Sequence, residues 1–281
     1  MSDSEGGIPL IEPLSPSPQP SSKRKRDDDG QKKKSHKRKR TKKPKDIDDA
    51  DLDEEAGINR AVGHMDPRLL ADHVAQRTKR FESELSFVEL EDRYLPEKAI
   101  RDTSSWTKQR DLENLPAFLT EFAKKKIKEA PGQNGSPHTL VVAGAGLRAA
   151  DLTRYITYTS KLFYPILTCI RALRTFQGPN CAVAKLFAKH IKLKEAITTC
   201  QKLRMGIGVG TPQRISDLLD NNALSLTNIR RIVVDASHID MKKRGILDMK
   251  EIQVPLVSLL VRKEIKERYG KGADGIELLF Y

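Results

Sequence analysis

Apolar residues recur along this chain in two regimes. After Met65, the positions Leu69, Leu70, Val74 and Phe81 follow helical spacing, and Asp66 is placed to cap the helix start before Pro67. Between residues 87 and 100 the pattern is short and broken. Residues 112–127 form a second predicted helix, with Leu115, Phe118, Leu119, Phe122 and Ile127 on one side and a lysine-rich end that suits a helix C-terminus. Pro131, Gly132, Gly135 and Pro137 then mark a loop. Beyond it, short apolar runs at 139–143, 181–184, 207–209 and 232–234 read as buried strands. Helices are predicted near 193–203, from residue 215 onward, and over 256–269. Strands alternating with helices predict an α/β fold, a parallel sheet with helices on both faces. Function in such sheets gathers at the loops after the carboxyl ends of the strands.

Residues 1–60 carry no such pattern and are expected to form a disordered tail, with the folded domain over 61–281. Prolines stand at 9, 13, 16, 18 and 20, and dense basic runs alternate with acidic blocks, so like charges repel with no apolar face to order them. The clusters Lys23, Arg24, Lys25, Arg26 and Lys37, Arg38, Lys39, Arg40, Lys42, Lys43 fit a nuclear or nucleolar localisation signal. The plainer reading is a solvated tail that no receptor reads.

Charge changes the picture further. Of the net +13, residues 1–55 hold 14 basic and 13 acidic side chains, leaving 37 basic and 25 acidic in 56–281. The excess therefore sits on the foldable part, and a basic domain attracts polyanions. No apolar run approaches the roughly 20 residues that span a bilayer, and the N-terminus does not read as a signal peptide, so a soluble intracellular protein with no membrane partner is expected. Cys169, Cys181 and Cys200 are odd in number and contain no CxxC pair, and the six histidines do not cluster. Neither a disulfide framework nor a metal site is expected.

Residues 206–248 carry the most specific pattern. Thr211-Pro212-Gln213-Arg214 follows a strand, Asp217-Leu218-Leu219 lies on the next helix, and Val233-Val234-Asp235 leads into Ala236-Ser237-His238. In order and spacing this resembles the first RecA-like domain of DEAD-box RNA helicases, where a Thr-Pro-x-Arg turn precedes a helix and a later strand delivers Asp-Glu-Ala-Asp. The resemblance extends more weakly to the segment around Arg148. It implies a single degenerate RecA-like domain in which Thr211, Gln213 and Arg214, together with Arg148, contact an RNA backbone. The physics of the turn agrees: Pro212 wastes no N–H at a helix start, neighbouring N–H groups can face an anion, and an arginine can fork onto a phosphate. The alternative is a structural turn with Arg214 paired to Asp217 or Asp220.

The residues needed for nucleotide hydrolysis are missing. No GxxxxGK[ST] loop occurs, and the glutamate of the acidic box is Ala236, so Asp235, Ala236, Ser237 and His238 form a degenerate box. The sequence ends at Tyr281, before a second RecA-like domain would fit. We expect no enzyme activity, no cofactor and no small-molecule substrate.

Taken with the segments at 146–152 and 185–190, the chain is similar to the Cms-one family of small-subunit ribosome biogenesis proteins, over most of residues 62–281 and in the tail by composition only. That resemblance implies a non-catalytic role as an RNA- or protein-docking scaffold in the 90S pre-ribosome, or small-subunit processome, with pre-rRNA, small nucleolar RNA and pre-ribosomal proteins as partners, in the nucleolus. Two other classes stay open: a residual nucleotide-binding protein built on Asp235, and a general chromatin or replication factor. Residues 155–170 interrupt a charged amphipathic segment with an apolar one. They read either as a retained in-frame intron or lineage-specific insertion, or as an apolar helix packed on the sheet.

Overall fold

The computed structural model describes residues 51–281 apart from 124–126, 128, 158–175, 177–180 and 189–190. The localisation-signal residues and most of the 155–170 segment lie outside the described residues; the backbone of 155–157 closes a helix.

The chain begins with a two-residue hairpin, β1 (Leu52–Asp53) and β2 (Ile58–Asn59). Three helices follow: α1 (Ala61–His64), α2 (Pro67–Phe81) and α3 (Phe87–Asp92). Then come α4 (Leu115–Ala123), β3 (Thr139–Val142), α5 (Gly146–Thr157), β4 (Ala182–Leu186), α6 (Leu193–Lys202), β5 (Met205–Gly210) and α7 (Pro212–Asp220). The chain closes with β6 (Arg231–Val234), α8 (Lys250–Leu260), α9 (Lys263–Lys266) and β7 (Glu277–Phe280).

Strands β3 to β7 form one sheet in the order β4-β5-β3-β6-β7, and every neighbouring pair is parallel. This is the expected α/β class. Side chains alternate across the strands, so Leu140, Val142, Ile232 and Val234 join one core while Val141, Val209 and Val233 join the other. The first core is closed by α2, α6, α7 and α8, the second by α4 and α5. Helix α2 starts as expected, with the Asp66 carboxylate accepting from Leu69 N at 2.8 Å.

Three sequence expectations need correction. Residues 51–60, assigned to the tail, belong to the fold: Ile58 and Asn59 are buried, and Asn59 N donates to Ser237 O at 2.7 Å. Their run is too short to show a period, and only the sheet supplies its partner. Residues 256–269 are not one helix. α8 starts earlier and carries Pro255 inside it, because burial of Gln253, Leu256, Val257, Leu259 and Leu260 offsets the roughly 3 kcal/mol that an interior proline costs. It ends where Arg262 adopts φ −52° and ψ 139°, with its guanidinium 2.7 Å from Asp220. Strand β7 was not expected at all: a four-residue segment with three apolar residues becomes a strand only because β6 offers an open parallel edge.

The glycines of β5 set how closely its neighbours approach. A Cβ at Gly208 would lie 2.6 Å from Leu186 Cδ1, the end of a side chain that can rotate. A Cβ at Gly210 would collide with the backbone carbonyl of Leu186, which the β4–β5 ladder holds in place. Gly210→Ala is therefore expected to cost about 3 kcal/mol and Gly208→Ala clearly less, read as the shift in urea midpoint.

His138 makes the fold sensitive to acid. Its Nε2 lies 3.1 Å from Ile127 O, which can only accept, so Nε2 carries the proton and Nδ1 accepts from the Thr139 hydroxyl at 2.7 Å. Burial, with Arg231 adding to it, pushes the imidazole from its ordinary 6.5 down to about 4. Between those values the unfolded chain binds more protons, so the stability from this site is complete above pH 6.5 and falls as the pH is lowered. The loss approaches roughly 3 kcal/mol at pH 4, and His138→Gln should flatten that part of the stability–pH curve.

Candidate nucleic-acid interface

The residues singled out from the sequence meet at the carboxyl end of the sheet. β3 leaves through Ala143, Gly144 and Ala145 into α5, and adjacent β5 leaves through Thr211 into α7. The two helix N-termini thus start from neighbouring strands. Neither first turn contains an acidic residue, and Pro212 stands at the first position of α7. Both ends present backbone N–H groups and the positive end of a helix dipole to the same edge.

Arg148 is turned inward. It lies in the first turn of α5, where side chains lean back toward the N-terminus. From there its Nε and Nη2 donate to the two oxygens of Asp235 at 2.7 and 3.1 Å, with side-chain exposures of 11% and 2%. The expectation that Arg148 faces an RNA backbone is corrected here. A carboxylate at the dry end of β6 requires a charged partner, and Arg148 is in reach. Asp235 N in turn donates to Val142 O at 2.9 Å, so β3, α5 and β6 are tied at one point. Ala236 and Ser237 both donate their backbone N–H to Tyr281 O at 2.7 Å, and both are buried. His238 follows; burial lowers its imidazole pKa, and the Arg148 charge adds to the effect. Among the described residues no group of three or more His, Cys, Asp or Glu is placed to hold a metal ion.

At α7, Arg214 is 9% exposed and donates Nη1 to Ile191 O at 3.1 Å. Its Nε has no hydrogen-bond partner among the described residues. The alternative pairing with Asp217 or Asp220 does not form: Asp217 accepts from Gln213 Nε2 at 2.9 Å, and Asp220 pairs with Arg262. Thr211 is half-buried at the N-cap and makes no side-chain capping bond. Gln213 is exposed. What the edge offers outward is therefore the backbone of two helix starts, the Thr211 hydroxyl and Gln213, with Arg214 behind them.

Part of the basic excess is internal. Arg110 donates to Phe280 O, Gly63 O, Thr103 O and Thr103 Oγ1. Arg268 donates to Leu226 O and Ile229 O at 2.6 Å, and Arg204 to Ala130 O and Pro131 O at 3.0 and 2.9 Å. These guanidinium groups satisfy backbone carbonyls of β7, α1 and loops, Arg204 from an exposed position. Arg110 escaped the sequence reading because it lies in a segment with no periodicity, and nothing local marks it.

The Asp235–Arg148 pair gives a direct test. Arg148→Met leaves a buried carboxylate unpaired and is expected to cost about 3–5 kcal/mol, while Arg148→Met combined with Asp235→Asn recovers most of it. Urea unfolding of the two single variants and the pair checks this.

A family model described as CMS1, U3-containing 90S pre-ribosomal complex subunit, matches residues 18–162 and 166–281. The match begins inside the charged tail, which the sequence reading compared by composition only. Protein CMS1 of Chaetomium thermophilum is 57% identical over 236 residues, covering 83% of this chain and 87% of that protein. Protein cms1 of Schizosaccharomyces pombe is 32% identical over 204 residues, covering 72% and 65%, and human Protein CMSS1 is 30% identical over 176 residues, covering 62% and 54%. Among solved structures, a DEAD box protein from Methanococcus jannaschii matches at 18% identity and a TM-score of 0.34, covering 59% of this chain and 36% of that one. Saccharomyces cerevisiae Dbp5 matches at 14% identity and a TM-score of 0.36, covering 59% and 34%. Scores this low carry no argument, and the fold assignment rests on the strand order itself. The extent of the family match and the identity to its fungal relatives settle the membership: this chain belongs to the CMS1 family, described as subunits of the U3-containing 90S pre-ribosomal complex.

Proposed function

We propose that this chain acts in ribosome biogenesis as a non-catalytic subunit of the 90S pre-ribosome, docking RNA at the edge formed by the starts of α5 and α7. The observation that carries the reading is the closed acidic box. Both oxygens of Asp235 are held by Arg148, and the next position is Ala236, so no carboxylate at the end of β6 is available to hold a metal ion or activate water. What remains at that edge is backbone N–H groups, dipole and hydroxyl, which read a phosphate backbone without reading its sequence. The basic clusters of the tail then supply nucleolar localisation and further phosphate contact. Pre-rRNA, small nucleolar RNA and pre-ribosomal proteins are the partners. No membrane partner is proposed, and no described helix is long and apolar enough to cross one.

The test is purification of the tagged full chain at near-physiological salt, followed by sequencing of crosslinked RNA. Enrichment of small-subunit precursor rRNA or U3 RNA is expected. Gln213→Glu adds a negative charge to the exposed first turn of α7, where the helix dipole favours it and the lost bond to Asp217 opposes it, so the thermal midpoint should move little while crosslinking falls roughly threefold to tenfold. Salt-sensitive background RNA alone, unaltered by Gln213→Glu, would mean that this edge docks protein.

A further inference from the structure

Residues 82–92 differ in charge from the rest of the domain. In a chain of net charge +13 they hold five acidic side chains and no basic one. Two large apolar side chains stand among them in the open: Phe87 is 72% exposed and Val88 68%. They occupy the first two positions of α3, whose inward residue is the buried Leu90. With about 100° between successive residues of a helix, Phe87, Glu91, Val88 and Asp92 follow one another around its outer face, and all four are exposed.

That face is held in place. A helix of six residues does not persist in water on its own backbone bonds. Ser86 and Glu89 form a reciprocal capping box at its start, Glu89 Oε2 accepting from Ser86 N at 2.8 Å and from the Ser86 hydroxyl at 2.7 Å. At its end, Arg93 donates to Ser258 Oγ at 2.7 Å and Lys266 donates to Asp92 O at 3.0 Å, which ties α3 to α8 and α9. The fold therefore fixes two apolar side chains in water, where they add nothing to either core.

The charges around them are only partly offset. Glu82 lies 3.7 Å from Arg93, and Asp92 lies 3.8 Å from Lys266. Glu89 bonds only to neutral groups of Ser86, whose hydroxyl and N–H hold its carboxyl below the usual range. Glu84 and Glu91 are exposed and pair with no cation among the described residues.

We infer that the outer face of α3 docks a lysine- or arginine-rich protein segment, with an apolar side chain seated on Phe87 and Val88 and cations toward Glu84, Glu89 and Glu91. Two requirements fix this partner. Exposed phenylalanine and valine gain by losing water, and an aromatic ring is a common anchor at interface cores. Uncompensated carboxylates attract a cationic partner and repel a phosphate backbone by the same interaction, so charge selects basic protein over RNA. A preformed helix face also loses little freedom on binding. The inference does not depend on RNA docking at α5 and α7.

The full chain is made in cells with a photo-crosslinking benzophenone analogue of phenylalanine at position 87. After irradiation, the joined species are identified by mass spectrometry. The expected product is a peptide of another protein with net positive charge. Glu84→Lys combined with Glu91→Lys should lower its yield about tenfold, because both charges change sign. Both residues are exposed, so the thermal midpoint should move little. A synthetic peptide of the identified segment should bind the full chain in solution, and bind Phe87→Ser about tenfold more weakly. Crosslinking to RNA would mean that α3 belongs to a nucleic-acid surface and would overturn the assignment. Crosslinks confined to neutral or acidic segments, crosslinks indifferent to the charge reversal, or none at all would overturn it as well. Recovery of the basic segment without precursor rRNA would leave this inference standing and remove only the ribosomal reading.

Discussion

The ion pair between Asp235 and Arg148 decides what the carboxyl edge of the sheet can do. A carboxylate at the end of β6, 2% exposed, is costly to bury without a cation and hydrogen bonds. Arg148 supplies both from the first turn of α5, and in doing so locks α5 against a strand two crossovers away in sequence. The same bonds consume the oxygens that a metal ion or an activated water would need. The structural consequence follows from one contact: β3, α5 and β6 are tied at one point, and both oxygens of Asp235 are engaged. What faces outward are two helix starts, each with unpaired backbone N–H groups.

Other arginines repeat this inward use of charge. Arg110 and Arg268 each fork onto backbone carbonyls, Arg204 does the same from an exposed position, and Arg231 donates to the Thr139 hydroxyl and to Ala123 O. A guanidinium is suited to this because its planar donors reach several acceptors while its stem packs on apolar neighbours. Loops between parallel strands expose many carbonyls that no ladder satisfies, and a small domain has few other donors to give them. The basic excess of residues 56–281 is thus partly a scaffold of internal crosslinks, and only the remainder forms a field that a polyanion meets.

One end of the sheet therefore carries two differently built surfaces. At β3 and β5 the groups on offer are backbone N–H groups, which tolerate any phosphate backbone. Beyond β6 and β7 the sheet is covered by the hairpin β1–β2, α1 and the segment 104–110 around a half-open cavity. A surface of the first kind gives contact without selectivity.

The sequence by itself determined what depends on near neighbours. Helical spacing after Met65, the Asp66 cap, Pro212 at a helix start and the alternation of apolar runs with helices all follow from interactions within a few residues, and the parallel sheet follows from that alternation. The order of Thr211, Arg214 and Asp235 along the chain also placed them correctly at one end of the sheet, since each follows a strand. The tertiary structure alone decided partners. Asp235 meets a residue 87 positions away, and Arg110 reaches a carbonyl 170 positions away. β7 and the hairpin around Ile58 exist because the edge of β6 and the turn after it were left to be covered. Such pairings are chosen by which polar groups lose water together when the chain collapses, and no local period records that choice.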